Sequence, residues 1–386
     1  MKRLRQTASI LVTVMLLFPL CGCWSAKEIQ VQGYAKAIGV DFVDNEYVVY
    51  IQMLDFTSIA KSSGIGGPAA KSPVWVAKGR GSTLNMAFDD IYKSSQLPVS
   101  WGHVTAIVLS DKVLAAKNEH LLDMINRYPE IRYNAWFFGT RTSLDRLLSA
   151  TPQFNLSPLV SILHSPRPNF EQYSLFNPVL FFQYITDYNE PAVSAYLPSL
   201  SITKKQWRDA EKPHDMLMID GAFFESDGRL NGFLDRSQLV GYHWLLQDMA
   251  RAPLTIEKQG TVYGGLTLSQ RSTQIKPVIK GSEVRFHVKA TYYGAMYEYI
   301  EPMTSEEMNR IAEETVRKQI MDTYREGLRI GVDIFGLEEK LYRKYPHMWN
   351  RLTHHGKKLL LKSDSIEQLD VKVIVPYYGK YKRKLH

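Results

Sequence analysis

Residues 74–93, VWVAKGRGSTLNMAFDDIYK, begin as a β-branched and aromatic run, pass through Gly79-Arg80-Gly81, and continue with apolar residues at helical spacing. The same alternation recurs downstream. It predicts strands over 74–77, 104–109 and 132–138, and helices over 82–93, 118–127 and 143–149. Strands alternating with helices imply a mixed or partly parallel sheet covered by helices.

Outward from that stretch, 34–41 and 47–54 are apolar runs flanking Asp44-Asn45, the pattern of a β-hairpin, and 57–73 reads as a loop. Proline-bearing sequence from 151 to 169 interrupts the alternation. An aromatic helix over 170–185 then leads to Pro191 and Pro198. The polar stretch 204–215 is a candidate boundary. Beyond it, strands at 216–224 and 229–234 flank Asp227-Gly228, and further strands fall at 264–268, 271–279, 284–293 and 369–375. The longest helix covers 305–326, with Thr304 and Glu307 at capping-box spacing and Gly327 placed for a left-handed cap. The fold class expected is α+β: an N-terminal mixed sheet with covering helices over 24–200, and a mostly antiparallel sheet with a long amphipathic helix over 215–386, subdivided near 250. No internal repeat relates the halves.

The N-terminus is organised differently. Lys2, Arg3 and Arg5 precede an apolar stretch of 13 residues from Ala8 to Leu20, and Leu20-Cys21-Gly22-Cys23 follows. Basic, apolar and small-residue segments in that order make a secretory signal over 1–22. A helix crossing ~30 Å of hydrocarbon needs about 20 residues. The cleavage site resembles a bacterial lipobox with Leu20 and Gly22 ahead of the lipidated cysteine; Gly22 is small enough for the cut before Cys23, and Leu20 is too bulky for one before Cys21. Two acyl chains, at ~0.8 kcal/mol per buried methylene, hold a protein durably on a bilayer.

The chain has two cysteines. Cys21 leaves with the signal and Cys23 becomes a thioether, so the exported body must be held by its apolar core. Losing three of the 47 basic side chains against 39 acidic ones takes the net charge from +8 to +5. That mild excess suits a body beside anionic lipid, and export argues against a nucleic-acid partner.

Catalytic signatures are absent: there is no H-E-x-x-H, G-x-S-x-G, P-loop, paired CxxC or EF-hand loop. His354-His355 and Asp89-Asp90 are adjacent pairs, which on a helix point to different faces and suit neither one metal ion nor general acid/base work. No metal, cofactor or catalytic residue is expected. Gly79-Arg80-Gly81-Ser82 has two readings, an anion site at a helix N-terminus or a turn with an N-cap at Ser82. The basic tail Lys380, Lys382, Arg383 and Lys384 is either a solvated terminus or a headgroup contact. The 305–326 helix is most simply core-facing.

Five ordered segments resemble the Ger(x)C lipoproteins, the C subunits of spore germinant receptors. They are Cys23-Trp24 with Glu28, Ile29, Gly39 and Asp41; Gly81-Ser82-Thr83-Leu84; Trp101-Gly102-His103-Val104; the hairpin ending in Gly232, Phe233 and Leu234; and Asp333, Ile334, Phe335 and Gly336 followed by Pro346 and Trp349. The resemblance implies a non-enzymatic α+β protein of three mixed domains on the outer face of the spore inner membrane. It also implies assembly with two polytopic membrane subunits, A and B, in a complex responding to small nutrients, with no catalytic residue to carry over. The competing class is a solute-binding lipoprotein of an envelope transporter, which needs two similar lobes; the dissimilar halves argue against it.

Overall fold

Two sheets, each with its own apolar core, account for most of the regular structure in the computed structural model, which describes residues 32–54, 74–127, 131–246, 248–281 and 283–377. The first sheet starts with the hairpin of β1 (Gly33–Val43) and β2 (Glu46–Leu54), whose turn residues Asp44 and Asn45 both take positive φ, 54° and 61°. That geometry matches the right-handed twist of the strands it joins. β3 (Val74–Gly81) and α1 (Leu84–Tyr92) follow, then β4 (Val99–Ser100), β5 (Ala106–Ser110), α2 (Asp111–Asn126), β6 (Trp136–Thr140) and α3 (Leu144–Leu148). Two short helices, α4 (Arg167–Gln172) and α5 (Phe181–Asn189), precede β7 (Ala195–Thr203). A small ribbon of β8 (Arg208–Asp209) and β9 (Lys212–Pro213) leads to the hairpin of β10 (Met216–Ser226) and β11 (Arg229–Asp235).

The nine strands run in the order β11-β10-β7-β6-β5-β1-β2-β3, with β4 against β1. β1, β5, β6 and β7 are mutually parallel, and an antiparallel hairpin extends the sheet on each side. The parallel strands read as continuous apolar runs because both faces are covered: all five residues of β5 are buried. A buried polar chain ties the sheet to the irregular segment after α3. Thr105 Oγ1 lies 2.7 Å from His164 Nδ1, His164 Nε2 lies 2.8 Å from Gln52 Oε1, and the Gln52 amide donates to the Leu148 carbonyl at 2.6 Å. Burial, then the charge of Lys36, lowers the His164 pKa to about 3, so the ring works as a neutral link.

The second sheet is β12 (Ala252–Lys258), β13 (Thr261–Lys280), β14 (Glu283–Tyr299) and β15 (Ile366–Tyr377), in that order. The first three are antiparallel, and β15 joins β14 in parallel after a helical crossover. The crossover consists of α6 (Ser305–Arg329), α7 (Leu337–Lys344) and α8 (Pro346–Thr353). α6 buries Met308, Ile311, Ala312, Val316, Ile320 and Tyr324, the stripe its three-and-four spacing predicts. The α+β class, with a mixed N-terminal sheet and a long amphipathic helix on the C-terminal one, is what the sequence led us to expect. None of the helices among the described residues is long and apolar enough to cross a membrane.

Several expected elements have different bounds, for identifiable reasons. Gly79 and Gly81 lie inside β3 and form no turn; a Cβ on either would collide with the backbone at Ala87, so the glycines let α1 lie directly on its preceding strand. The N-cap of α1 is Thr83 in place of Ser82: the Thr83 hydroxyl accepts from Met86 N at 3.2 Å, while Ser82 Oγ contacts Met86 Sδ. The aromatic helix over 170–185 is two helices separated around Asn177-Pro178, and Phe176, Phe181 and Tyr184 enter the first core. Gly327 stays helical, 2.9 Å by its missing Cβ from Ile334, and the left-handed residue after α6 is Gly331 at φ 75°. The runs at 264–268 and 271–279 are one strand, β13, with an irregularity at Gln270/Ser272. The stretch 204–215 carries the β8–β9 ribbon, and the sheet of the first half continues beyond it through β10 and β11.

Two substitutions probe this packing. Gly79→Ala is expected to lower the unfolding free energy by about 1–3 kcal/mol in urea titration, because the collision is with backbone that has nowhere to move. Thr83→Ala should lower it by about 1 kcal/mol and Ser82→Ala by less than about 0.5 kcal/mol; the reverse order would return the cap to Ser82.

Candidate functional site

The chain crosses between the two cores at two neighbouring places. Tyr242 packs in the first core and Trp244 in the second, so the 3₁₀ turn Tyr242–Leu245 bridges them. Val332 and Ile334 likewise enter the first core and Leu337 the second. Both crossings are pinned. Gly241 N donates to Thr323 Oγ1 on α6 at 2.9 Å, and Trp244 Nε1 donates to Gln319 Oε1 at 2.7 Å. Asp333 N donates to Ser194 Oγ at 3.2 Å, and Asp333 Oδ2 accepts from Glu338 N at 2.6 Å.

Between the crossings, α5 and β7, lies a cavity of ≈ 420 Å³ whose walls include Asp187, Tyr196, Tyr242, Asp333, Phe182 and Phe335. Its polar groups are unusual. Asp333 is only 5% exposed, and its Oδ1 has no hydrogen-bond partner among the described residues. Tyr196 is 8% exposed, stacks on Tyr242 at 5.0 Å, and its hydroxyl also lacks a partner there. Buried polar atoms are nearly always paired, so two such atoms on one cavity wall stand out.

The electrostatics point the same way. Burial, then the Glu338 carboxylate, raises the pKa of Asp333 to about 7, against the pull of the backbone N–H groups of Glu338, Leu337 and Phe335. Burial, then Glu339 and Glu190, raises that of Asp187 to about 6. Burial and the neighbouring Tyr242 push the Tyr196 phenol well above its usual value, so it stays a hydrogen-bond donor. Among the described residues, no cation lies within ion-pair distance of Asp187 or Asp333; Arg343 and Lys340 are engaged by Glu339, and Arg343 also reaches Glu190 at 3.9 Å.

A larger cavity, ≈ 750 Å³, opens beneath Trp207 and Tyr173 and includes Arg236 and Arg251 in its wall. None of the partnerless buried polar atoms belongs to a residue lining it. It lacks the unmet bonding capacity of the smaller cavity.

The residues singled out in the sequence take other roles. Arg80 N donates to Asp90 Oδ2 at 3.1 Å and its guanidinium faces Asp44 and Glu46, so the supposed anion position holds the chain's own carboxylate. The Arg80 amide bond, then Lys93, lowers the pKa of Asp90. His354 and His355 are exposed, with φ 53° and 62°, in the turn that ends α8 rather than on a helix. Among the described residues, no group of three His, Cys, Asp or Glu could hold a metal ion. Leu20, Gly22, Cys23, the loop 57–73 and the basic tail lie outside the described residues. The cavity residues were not singled out as a site. The one local signal was Asp333 alone in the apolar run Val332-Asp333-Ile334-Phe335, a carboxylate placed where its neighbours must be buried.

Comparison with known proteins places this architecture. Residues 25–202 match the family described as Spore germination protein N-terminal domain, and residues 219–375 that described as Spore germination B3/GerAC like, C-terminal. The chain is 21% identical over 365 residues to spore germination protein KC of Bacillus subtilis (strain 168), with 89% of each covered. It is 20% identical over 401 residues to spore germination protein B3 of the same organism, covering 96% of this chain and 98% of that one. The crystal structure of the GerBC protein shares the fold at a TM-score of 0.51 and 15% identity, over 91% of this chain and 100% of that chain. With both family regions present in order and spanning most of its length, the chain belongs to the Ger(x)C family of spore germination proteins.

Proposed function

We propose that this protein is the lipid-anchored, non-enzymatic C subunit of a nutrient germinant receptor complex, needed for spore germination. The observation that carries the reading is the succession of the two family regions directly behind the Leu20-Cys21-Gly22-Cys23 motif. The subunit sits on the outer face of the spore inner membrane, attached through a diacylglyceryl group on Cys23. There it assembles with polytopic A and B subunits.

The physical argument concerns reach. β1 starts at Gly33, ten residues beyond Cys23. At no more than ~3.6 Å per residue, that tether keeps the start of β1 within about 35 Å of the lipid. A body so confined acts through neighbours in the same membrane, and its excess of positive charge favours an anionic lipid surface. Nutrient is sensed by the complex, with this subunit contributing to assembly or signalling rather than turnover; the chain shows no catalytic motif.

Cys23→Ala should abolish labelling by radioactive palmitate and release the protein from spore membranes. Deleting the gene should abolish the response to at least one nutrient, while germination by pressure or by chelated calcium proceeds. Retained acyl labelling in the variant would refute the anchor. An unchanged nutrient response in a strain without a redundant receptor would refute the receptor role.

A further inference from the structure

The cavity between the two cores combines features that rarely occur together without a ligand. Asp333 presents a buried carboxylate oxygen with no donor, and Tyr196 presents a buried hydroxyl with no acceptor, again among the described residues. Asp187 on α5 adds a second, half-buried carboxylate to the same wall. Phe182, Phe335, Tyr196 and Tyr242 contribute aromatic surface. Leaving a carboxylate buried without a counter-charge is costly, and among the described residues no cation lies within ion-pair distance of Asp333.

We propose that this cavity is a binding site for a small organic ammonium ion, held by Asp333 and Asp187 against the faces of the surrounding aromatic rings. The ammonium group would donate to Asp333 Oδ1 and to an Asp187 oxygen, while its organic part lies against the rings, whose negative faces attract a cation. The volume of ≈ 420 Å³ lies within the range of small-molecule sites, roughly 300–1,000 Å³. A bare metal ion fits less well, because no three side-chain ligands converge among the described residues. The Tyr196 hydroxyl can accept from the same ammonium or donate to a polar substituent on the ligand. The site exists whether or not the chain works in a receptor assembly.

The charge balance also sets a pH dependence. Among the described residues, the groups facing the cavity or its acids are Asp333, Asp187 on α5 with Glu190 just after it, Tyr196 on β7, Tyr242 in the 3₁₀ turn, Tyr324 on α6, and Glu338 and Glu339 on α7, with Lys340 and Arg343 paired to Glu339 and Arg343 also to Glu190. In the empty site Asp333 holds a proton up to near neutrality. Binding of an ammonium ion requires that proton to leave. Affinity therefore rises as pH increases through neutrality and levels off once the carboxyls are ionised, until the ligand amine itself loses its proton.

The test is calorimetric titration of the purified full-length protein in detergent with 2-phenylethylammonium and, in parallel, its neutral isostere 2-phenylethanol. The amine is expected to bind saturably at one site per chain, at least about tenfold more tightly than the alcohol, with affinity rising severalfold between about pH 6 and about pH 8. Asp333→Asn should weaken the amine at least about tenfold and flatten the pH profile, and Asp187→Asn and Tyr196→Phe should each weaken it severalfold. Circular dichroism checks that each variant is folded. If Asp333→Asn does not fold, Asp187→Asn and Tyr196→Phe decide, since one carboxylate is only half buried and the other change removes a single hydroxyl. Equal affinity for amine and alcohol, unaltered binding in the folded variants, absence of saturable binding by the amine, or its stoichiometric displacement by calcium would each overturn the proposal.

Discussion

Glu338 is the buried charge around which the C-terminal third is arranged. It is 5% exposed, and both carboxylate oxygens are engaged: Oε2 accepts from Trp349 Nε1 at 2.9 Å and Oε1 from Leu360 N at 2.6 Å. Burial raises its pKa while these donors pull it back. A carboxylate in such a position is tolerated only when its lone pairs are taken, and removal of one donor costs about 1–3 kcal/mol. The requirement fixes three pieces of chain at once: α7, which carries the glutamate; α8, which carries the tryptophan; and the segment at Leu360 that leads into β15. Since β15 adds to β14 in parallel, this side chain also helps set where the edge strand of the second sheet begins.

The same glutamate shapes the junction between the cores. Its backbone amide is taken by Asp333 Oδ2, so two acidic side chains are held close together with only one of them fully satisfied. Burial, then their mutual repulsion, keeps the Asp333 carboxyl protonated further up the pH scale than an exposed aspartate. Glu338, the group that locks α7 to α8, thus has a donor on each oxygen, whereas Asp333, in the cavity wall, is met by backbone N–H groups of Phe335, Leu337 and Glu338 and keeps Oδ1 without a close donor among the described residues. That asymmetry is what makes Asp333 a group awaiting a partner and Glu338 a group that already has them.

Local signals in the sequence identified some elements and missed others for physical reasons. The turns at Asp44-Asn45 and Asp227-Gly228 were legible because only residues that tolerate positive φ can make them, and both pairs do adopt it. The long helix was legible from its stripe and its Thr304 cap, whose hydroxyl accepts from Glu307 N at 3.2 Å. β7 was missed because Pro198 argues against an interior strand. It sits there because β6 pairs with β7 only at Ser199 and Leu200, so no ladder bond to β6 is asked of the proline. β12 was missed although Ala252, Leu254 and Ile256 alternate with Pro253, Thr255 and Glu257, because three apolar positions beside a proline make a short signal. The cavity was hardly legible at all. Asp187, Tyr196, Tyr242 and Asp333 come from four separate elements, and what distinguishes the site, buried atoms of Tyr196 and Asp333 without a partner among the described residues, is a property of packing between distant segments rather than of spacing.

The position of the cavity bears on what occupancy would do. Tyr196 and Tyr242 belong to the first core, while Phe335 packs against both. A ligand touching all of them contributes binding free energy only when the two cores hold their observed relation, so it favours that relation over any in which they separate. At a ligand concentration 100-fold above the dissociation constant the bias is about 2.7 kcal/mol, a large fraction of the stability of an ordinary domain. Local opening of the Tyr242–Leu245 turn or of the 332–336 segment would empty the cavity, and filling it would suppress both openings together, because they share one set of contacts. A small cation bound between two cores thus acts on a much larger part of the molecule than it touches, and the carboxylate that recognises it lies within five residues of the one that holds the C-terminal helices in place.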